Sequence, residues 1–112
     1  ICSNQALCAM TAGVYMAAMG PRGMAQAASQ SMAKAHYLAE ELCKLEDVSM
    51  MHSGAYFHEF VTRCPKVEEV LTALENEGIL GGLPVEGGIL WCTTEKVSKA
   101  ELDRAVSIVK EA

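Results

Sequence analysis

Residues 6–19 constrain the fold more than any other stretch because they contain no charged side chain. The pattern predicts a helix over residues 3–19, which Ser3 or Asn4 can cap, with alanine, leucine, cysteine and methionine on every side. A helix that is apolar nearly all round must be covered by protein on most faces. It is too short to span a membrane, so a buried core helix is favoured. A domain of 112 residues has too little protein to cover it. We therefore expect another domain, another subunit, or both.

A second, longer helix is predicted after the break at Gly20-Pro21, because proline is well tolerated as the first residue of a helix. It should run to about Lys44. Its apolar stripe has the three- and four-residue spacing of one helix face, and consists of Met24, Ala28, Ser31, Ala35, Leu38, Leu42 and Leu45. Small residues in the stripe predict close packing against a neighbouring element.

The remainder of the chain reads as short strands and helices. Strands are predicted at residues 48–52, 56–63 and 89–93, with a turn at 53–55. One helix should start at Pro65 and stop at Gly78, and a last helix should open with the capping box of Ser98 and Glu101. The first two strands should form a hairpin, and the second and third should be parallel through a right-handed crossover. This predicts an α+β fold with a small mixed sheet and helices on one face. The expected division is a helical segment at 1–45 and a small α+β domain at 46–112.

Composition excludes some functions. Fourteen acidic and nine basic residues give a net charge of −5, which argues against nucleic acid and membranes as partners. The five cysteines are odd in number and lack metal-site spacing, so reduced, buried thiols in a cytoplasmic protein are favoured. They are Cys2, Cys8, Cys43, Cys64 and Cys92.

Local motifs that carry chemistry are weak. Ser31-x-x-Lys34 matches the pattern of serine acyl enzymes, but its companion motifs are absent. His52, His58 and Glu59 could bind a metal, although surface histidines on a hairpin are the favoured interpretation. Residues 2–5 form a polar helix start that suits an anion or a partner backbone, or simply caps the helix. The glycine-rich residues 81–88 precede a strand, which favours a surface connection over an active-site flap.

Seven segments, in order along the chain, carry a family resemblance. They are residues 1–7 (ICSNQAL), 20–24 (GPRGM), 34–39 (KAHYLA), 57–61 (FHEFV), 78–82 (GILGG), 92–96 (CTTEK) and 101–103 (ELD). Together they resemble the P-protein family of the glycine cleavage system, in the form of subunit 1 of the two-subunit glycine dehydrogenase (decarboxylating). The family has a longer stretch where this chain has only residues 83–88, so no substrate contact is carried over from this loop.

The resemblance implies the C-terminal small domain of an aminotransferase-like protein of pyridoxal phosphate fold type I. The whole enzyme decarboxylates glycine and transfers the aminomethyl group to the lipoylated H-protein. Pyridoxal phosphate and its Schiff-base lysine are expected in subunit 2, with no cofactor, metal or catalytic residue in this chain. Six residues are then candidates for an active-site wall or subunit interface: Cys2, Ser3, Asn4, Gln5, Gly81 and Gly82.

Two functions remain open at this point. The first is a structural, interface-forming part of a cytoplasmic glycine dehydrogenase, inactive and self-associating in isolation. The alternative is a free-standing α/β regulatory or protein-interaction module. The apolar first helix distinguishes them, because a free-standing module would have to expose it or hide it in an oligomer.

Overall fold

The structure is a computed structural model that describes residues 4–112. Helix α1 spans Ala6–Leu42, and its backbone leaves helical geometry at Gly20, where φ is 63° and ψ is 177°. A positive φ is easily adopted by glycine, and Pro21 follows directly with no N–H to satisfy. The predicted break at Gly20-Pro21 is confirmed, although it divides one long helical element. Among the described residues, no helix combines the length and hydropathy needed to cross a membrane.

The two parts of α1 have different surroundings. Residues 4–19 are all exposed, and the first buried residue of α1 is Ser31, which is 7% exposed. From there to Leu42 the predicted stripe is buried, with Ala35 and Leu42 completely inaccessible and Leu38 4% exposed. Leu45, the last residue of the predicted stripe, lies beyond the end of the helix and is half-buried. Met24 and Ala28 belong to the same predicted stripe but are exposed, because no other element of the described chain packs against this part of α1.

Four strands form one sheet in the order β1-β2-β4-β3. The strands are β1 (Ser49–Met50), β2 (Glu59–Arg63), β3 (Leu83–Val85) and β4 (Gly88–Cys92). β1 pairs antiparallel with β2, as the predicted hairpin requires. β2 and β4 also pair antiparallel, so the predicted parallel pairing, and with it the mixed sheet, is wrong.

The reason for the error lies in the glycine-rich segment. It contains β3, which pairs antiparallel with β4 through a tight reversal at Glu86-Gly87, where Gly87 has φ 74°. Helix α2 (Val67–Asn76) therefore connects β2 to β3, which run in the same direction with β4 inserted between them. The crossover exists, but the strand that it leads to is β3.

Helix ends follow the local signals. Gly78 has φ 74°, and the backbone N–H groups of Gly78 and Ile79 donate to Glu75 and Leu74 at 2.9 Å each, which is the Schellman pattern. Helix α3 (Lys99–Glu111) starts with the predicted capping box, in which the Ser98 N–H donates to Glu101 Oε2 at 2.7 Å.

The core lies between the helices and one face of the sheet. Phe60 and Thr62 of β2, with Ile89 and Trp91 of β4, are buried on this face. Leu74 of α2 is fully buried against them within the same core. Inside the core, Trp91 Nε1 donates a 2.8 Å hydrogen bond to Thr62 Oγ1, so neither polar group is left unpaired.

Polar contacts fix the buried part of α1 to α3 and to the end of β4. Tyr37 donates to Asp103 at 2.5 Å, and Lys99 Nζ donates to both of these side chains at 2.7 Å. Lys99, and then Tyr37, hold the pKa of the Asp103 carboxyl below its usual value. The Thr93 hydroxyl donates to the Ser31 carbonyl at 3.3 Å.

We expect Leu38→Asp to lower the free energy of unfolding by several kcal/mol, since it places an unpaired charge in a packed core. Chemical denaturation followed by circular dichroism measures the change. Met32→Asp is the matched control, because Met32 lies on the same helix and is 45% exposed; it should change stability by about 0.5 kcal/mol or less. Equal effects of the two substitutions would contradict the packing of α1.

Candidate functional site

The described part of the polar helix start is accessible. Asn4 and Gln5 are exposed, and Asn4 Oδ1 accepts from the Ala6 N–H at 2.8 Å. Gln5 occupies the N-cap position without a side-chain capping bond. Asn4 thus serves the first helical turn, and the Gln5 amide is available to a partner. Cys2 and Ser3, predicted in the same set, lie outside the described residues.

Gly81 and Gly82 lie against the core for a steric reason. A Cβ atom on Gly81 would be 2.4 Å from Leu74 Cδ1, and one on Gly82 would be 2.4 Å from the carbonyl oxygen of Leu90. The chain leaving α2 has to pass this close to α2 and β4 before it enters β3. Gly82 is therefore required by the close approach of two backbone segments, whereas a Cβ at Gly81 would have to displace the buried side chain of Leu74.

The predicted site residues fall into two sets, the helix start and the glycines 81–82. Among residues 4–112, no hydrogen bond joins one set to the other. The helix start belongs to the exposed part of α1, whereas Gly81 and Gly82 pack against α2 and β4. Their role as an active-site wall or subunit interface stays a prediction.

The acyl-enzyme motif has no catalytic geometry. Ser31 Oγ donates to the Ala27 carbonyl at 2.9 Å, and Lys34 Nζ donates to the Glu95 carbonyl at 2.5 Å. Each side chain serves a backbone carbonyl, and no hydrogen bond connects hydroxyl and amine. A serine nucleophile needs a base within hydrogen-bond reach, so the motif is a chance match, as the sequence indicated.

The exposed part of α1 is a candidate interface. Leu7, Met10 and Val14 are 68%, 63% and 64% exposed, and their spacing places them on one side of the helix. Tyr15 and Met16, on other sides of the same helix, are also exposed. Monomeric proteins rarely expose contiguous apolar patches of this kind. We call residues 6–19 the apolar helix.

The accessible area and the radius of gyration are both larger than those of a compact monomer, as expected if the apolar helix is uncovered. The accessible area is 7715 Å², whereas a compact monomer of this mass has about 6,000 Å². The radius of gyration is 16.5 Å, against about 13 Å for a compact domain of this length. The excess area of about 1,700 Å² exceeds the roughly 800 Å² that one partner contributes to a standard interface.

The sheet face opposite the helices is a second apolar surface. The register places Val61 opposite Leu90, and Leu90 opposite Leu83. Leu83 is 60% exposed, and the other two are half-buried. The sequence pattern predicts a surface connection at residues 81–88, so this row is not expected from the sequence. The available signal for a hairpin is the turn at residues 86–87, which is flanked by glycine.

Arg63 lies beside two shallow grooves but is already engaged. Its Nη1 donates to the Met50 carbonyl at 2.8 Å, which holds β1 on the edge of the sheet. The larger groove has a volume of about 830 Å³ and also contacts Asp47 and Glu68. Two carboxylates and a single cation therefore line that groove, which makes it a poor anion site.

One cluster of potential metal ligands is present in the described part of the chain. His58, Glu59 and Cys92 place their ligand atoms within 4.8 Å of one another. Partial burial, and then Glu59, raise the pKa of the Cys92 thiol. Sequence reasoning considered His58 and Glu59 with His52; the structure brings Cys92 to them in place of His52. The strand register that does this could not be read from local spacing.

Comparison with known proteins gives a consistent result. The family described as "Glycine cleavage system P-protein" matches residues 1–109. A protein of Desulfotalea psychrophila named "Probable glycine dehydrogenase (decarboxylating) subunit 1" is 42% identical over 99% of this chain and 26% of its own length. The protein of the same name from Chlorobium limicola is 40% identical over 95% of this chain and 25% of its own length.

A solved structure is similar over nearly the whole chain. It is described as the crystal structure of glycine decarboxylase (P-protein) of the glycine cleavage system, in inhibitor-bound form. It superposes with a TM-score of 0.91 and 32% identity over 99% of this chain and 27% of that chain. This chain thus spans about a quarter of the length of the relatives that it matches.

We expect Gly82→Ala to lower the free energy of unfolding by about 1–3 kcal/mol, because the new methyl group meets the backbone of Leu90. Thermal and urea unfolding measure this. Gly54→Ala is the control, since a Cβ there meets nothing within 4 Å. If both variants were as stable as the parent chain, the close approach of residues 81–82 to β4 would be wrong.

Proposed function

The chain belongs to the glycine cleavage system P-protein family, and from this premise we propose that it is the C-terminal part of a glycine dehydrogenase (decarboxylating) subunit 1. In this proposal it contributes structure and interface to a cytoplasmic enzyme that decarboxylates glycine and transfers the aminomethyl group to the lipoylated H-protein. The observation that carries the proposal is the match of nearly the whole chain to relatives with that name.

The fold supports this assignment at the level of shape. The α+β arrangement superposes on part of a P-protein with a TM-score of 0.91. We propose further that the arrangement is the small domain of an aminotransferase-like, fold type I protein. A large domain and subunit 2 would then cover the apolar helix and the outer sheet face.

Residues 4–112 do not fit a pyridoxal phosphate site. A Schiff-base lysine needs a dry pocket, a phosphate cradle and a carboxylate for the pyridine nitrogen. Of the six lysines, five are exposed, and the sixth, the half-buried Lys34, donates a hydrogen bond to the Glu95 carbonyl. We therefore assign the cofactor, and the chemical steps that depend on it, to subunit 2.

The exposed apolar helix counts against a free-standing module. Such a module would have to keep Leu7, Met10 and Val14 in water or hide them in an oligomer. In the assembled enzyme we assign this surface to the remaining polypeptide and to subunit 2. In isolation we assign it to a second copy of the chain.

We expect the isolated chain to self-associate, since burying apolar area stabilises association by roughly 25 cal/mol per Å² before entropic costs. Sedimentation velocity over a concentration series should show a dimer or larger species. Val14→Glu should shift the population toward monomer. Leu80→Glu, at a residue that is 96% exposed outside the apolar helix, is the control and should not. A chain that stays monomeric at high concentration would contradict the interface.

We expect the chain alone neither to decarboxylate glycine nor to bind pyridoxal phosphate at one site. Incubation with the cofactor, borohydride reduction and peptide mapping should give scattered, substoichiometric labelling of exposed lysines. Co-purification with subunit 2 and the H-protein tests the proposed partners in parallel. Stoichiometric labelling of a single lysine would overturn the assignment of the cofactor to subunit 2.

A further inference from the structure

Three side chains of the types that can bind transition metals lie close together where β2 begins and β4 ends. Glu59 and Cys92 are direct partners in the β2–β4 register, and His58 immediately precedes Glu59. Their ligand atoms all lie within 4.8 Å of one another. Bonds of roughly 2.0–2.3 Å to a tetrahedral ion separate its ligand atoms by roughly 3.3–3.8 Å, so small side-chain rotations would close the site.

The imidazole of His58 supplies an independent indication of a ligand. Its Nδ1 atom is buried and has no hydrogen-bond partner among residues 4–112. Buried polar side-chain atoms nearly always have a partner, and each exception needs an explanation. The backbone of His58 is fixed, because its carbonyl accepts from the Thr93 N–H at 3.1 Å. The Phe57 ring packs edge-on at 4.7 Å and limits rotation of the imidazole.

The charges of the cluster also favour a cation. Glu59 forms no ion pair within the described range 4–112, and its carboxylate lies beside the Cys92 thiol. No lysine or arginine of residues 4–112 forms a salt bridge with it. A divalent cation would compensate the charge of the Glu59 carboxylate and of the thiolate that Cys92 forms on binding it.

We propose that His58, Glu59 and Cys92 form a binding site for one zinc ion. A sulfur, an imidazole nitrogen and a carboxylate oxygen are the ligand types that zinc takes, whereas magnesium and calcium require mostly oxygen ligands. On binding, the Cys92 thiol releases its proton to solvent as the sulfur–zinc bond forms. The imidazole binds in its neutral form, and no redox change occurs. Three protein ligands leave the fourth position of the ion to water.

The position of the site suggests what the ion does. It would join the first residues of β2 to the last residue of β4. The neighbouring Thr93 hydroxyl already bonds to the Ser31 carbonyl at the point where α1 becomes buried. Zinc would therefore stabilise the end of the sheet against which α1 packs. This inference is independent of the proposed enzymatic function.

Cobalt(II) titration of the reduced, metal-free 112-residue chain tests the site, since cobalt adopts zinc-like geometry and has visible absorption. We expect one equivalent to bind, with thiolate-to-cobalt charge transfer in the near ultraviolet, and equimolar zinc to abolish the spectrum. Saturating zinc should also raise the midpoint of thermal unfolding.

Single variants assign the ligands. Cys92→Ser should lose the charge-transfer band, and His58→Gln and Glu59→Gln should weaken cobalt binding by about tenfold or more. Cys8→Ser, at an exposed cysteine of the apolar helix, is the control and should bind like the parent chain. Circular dichroism of the metal-free variants shows that each is folded. An unchanged charge-transfer band in Cys92→Ser, or equal affinities of Glu59→Gln and Cys8→Ser, would overturn the proposal.

Discussion

The pairing of β2 with β4 is the interaction on which the rest of the structure depends. It places Phe60 opposite Trp91 and Thr62 opposite Ile89, so one face of the sheet carries a continuous buried surface. A slip of one residue would turn this surface to solvent. Gly88 restricts the register further, because a Cβ there would lie 2.1 Å from the Thr62 carbonyl oxygen.

The same pairing determines what the outer face presents. Alternation along the strands turns Val61, Leu90 and Cys92 away from the helices together with Glu59. The apolar row and the metal cluster are thus consequences of the register that builds the core. Residues that serve the core and residues available to a ligand or partner alternate along the same two strands.

Sequence reasoning succeeded where the signal was local and failed where it was not. The break at Gly20, the stop at Gly78 and the Ser98 capping box depend on a few neighbouring residues, and all three are confirmed. Strand order depends on contacts between distant segments, and β3 is only three residues long. The parallel pairing was therefore wrong, and the approach of Cys92 to Glu59 was missed. The family resemblance is confirmed, and it rests on seven separate segments that follow one another along the chain in the order of the family.

Helix α1 is covered by the rest of the described chain only along its second part. Beyond Gly20 it supplies Ala35, Leu38 and Leu42 to the core. Before Gly20 its side chains are equally apolar, but the sheet and the other two helices lie too far along α1 to cover them. An isolated helix of about 14 residues has little stability of its own in water, and most helical stability in proteins comes from packing. The first part of α1 can therefore be firmly ordered only against a surface that the described residues do not provide, which is the physical requirement that an interface at residues 6–19 would meet.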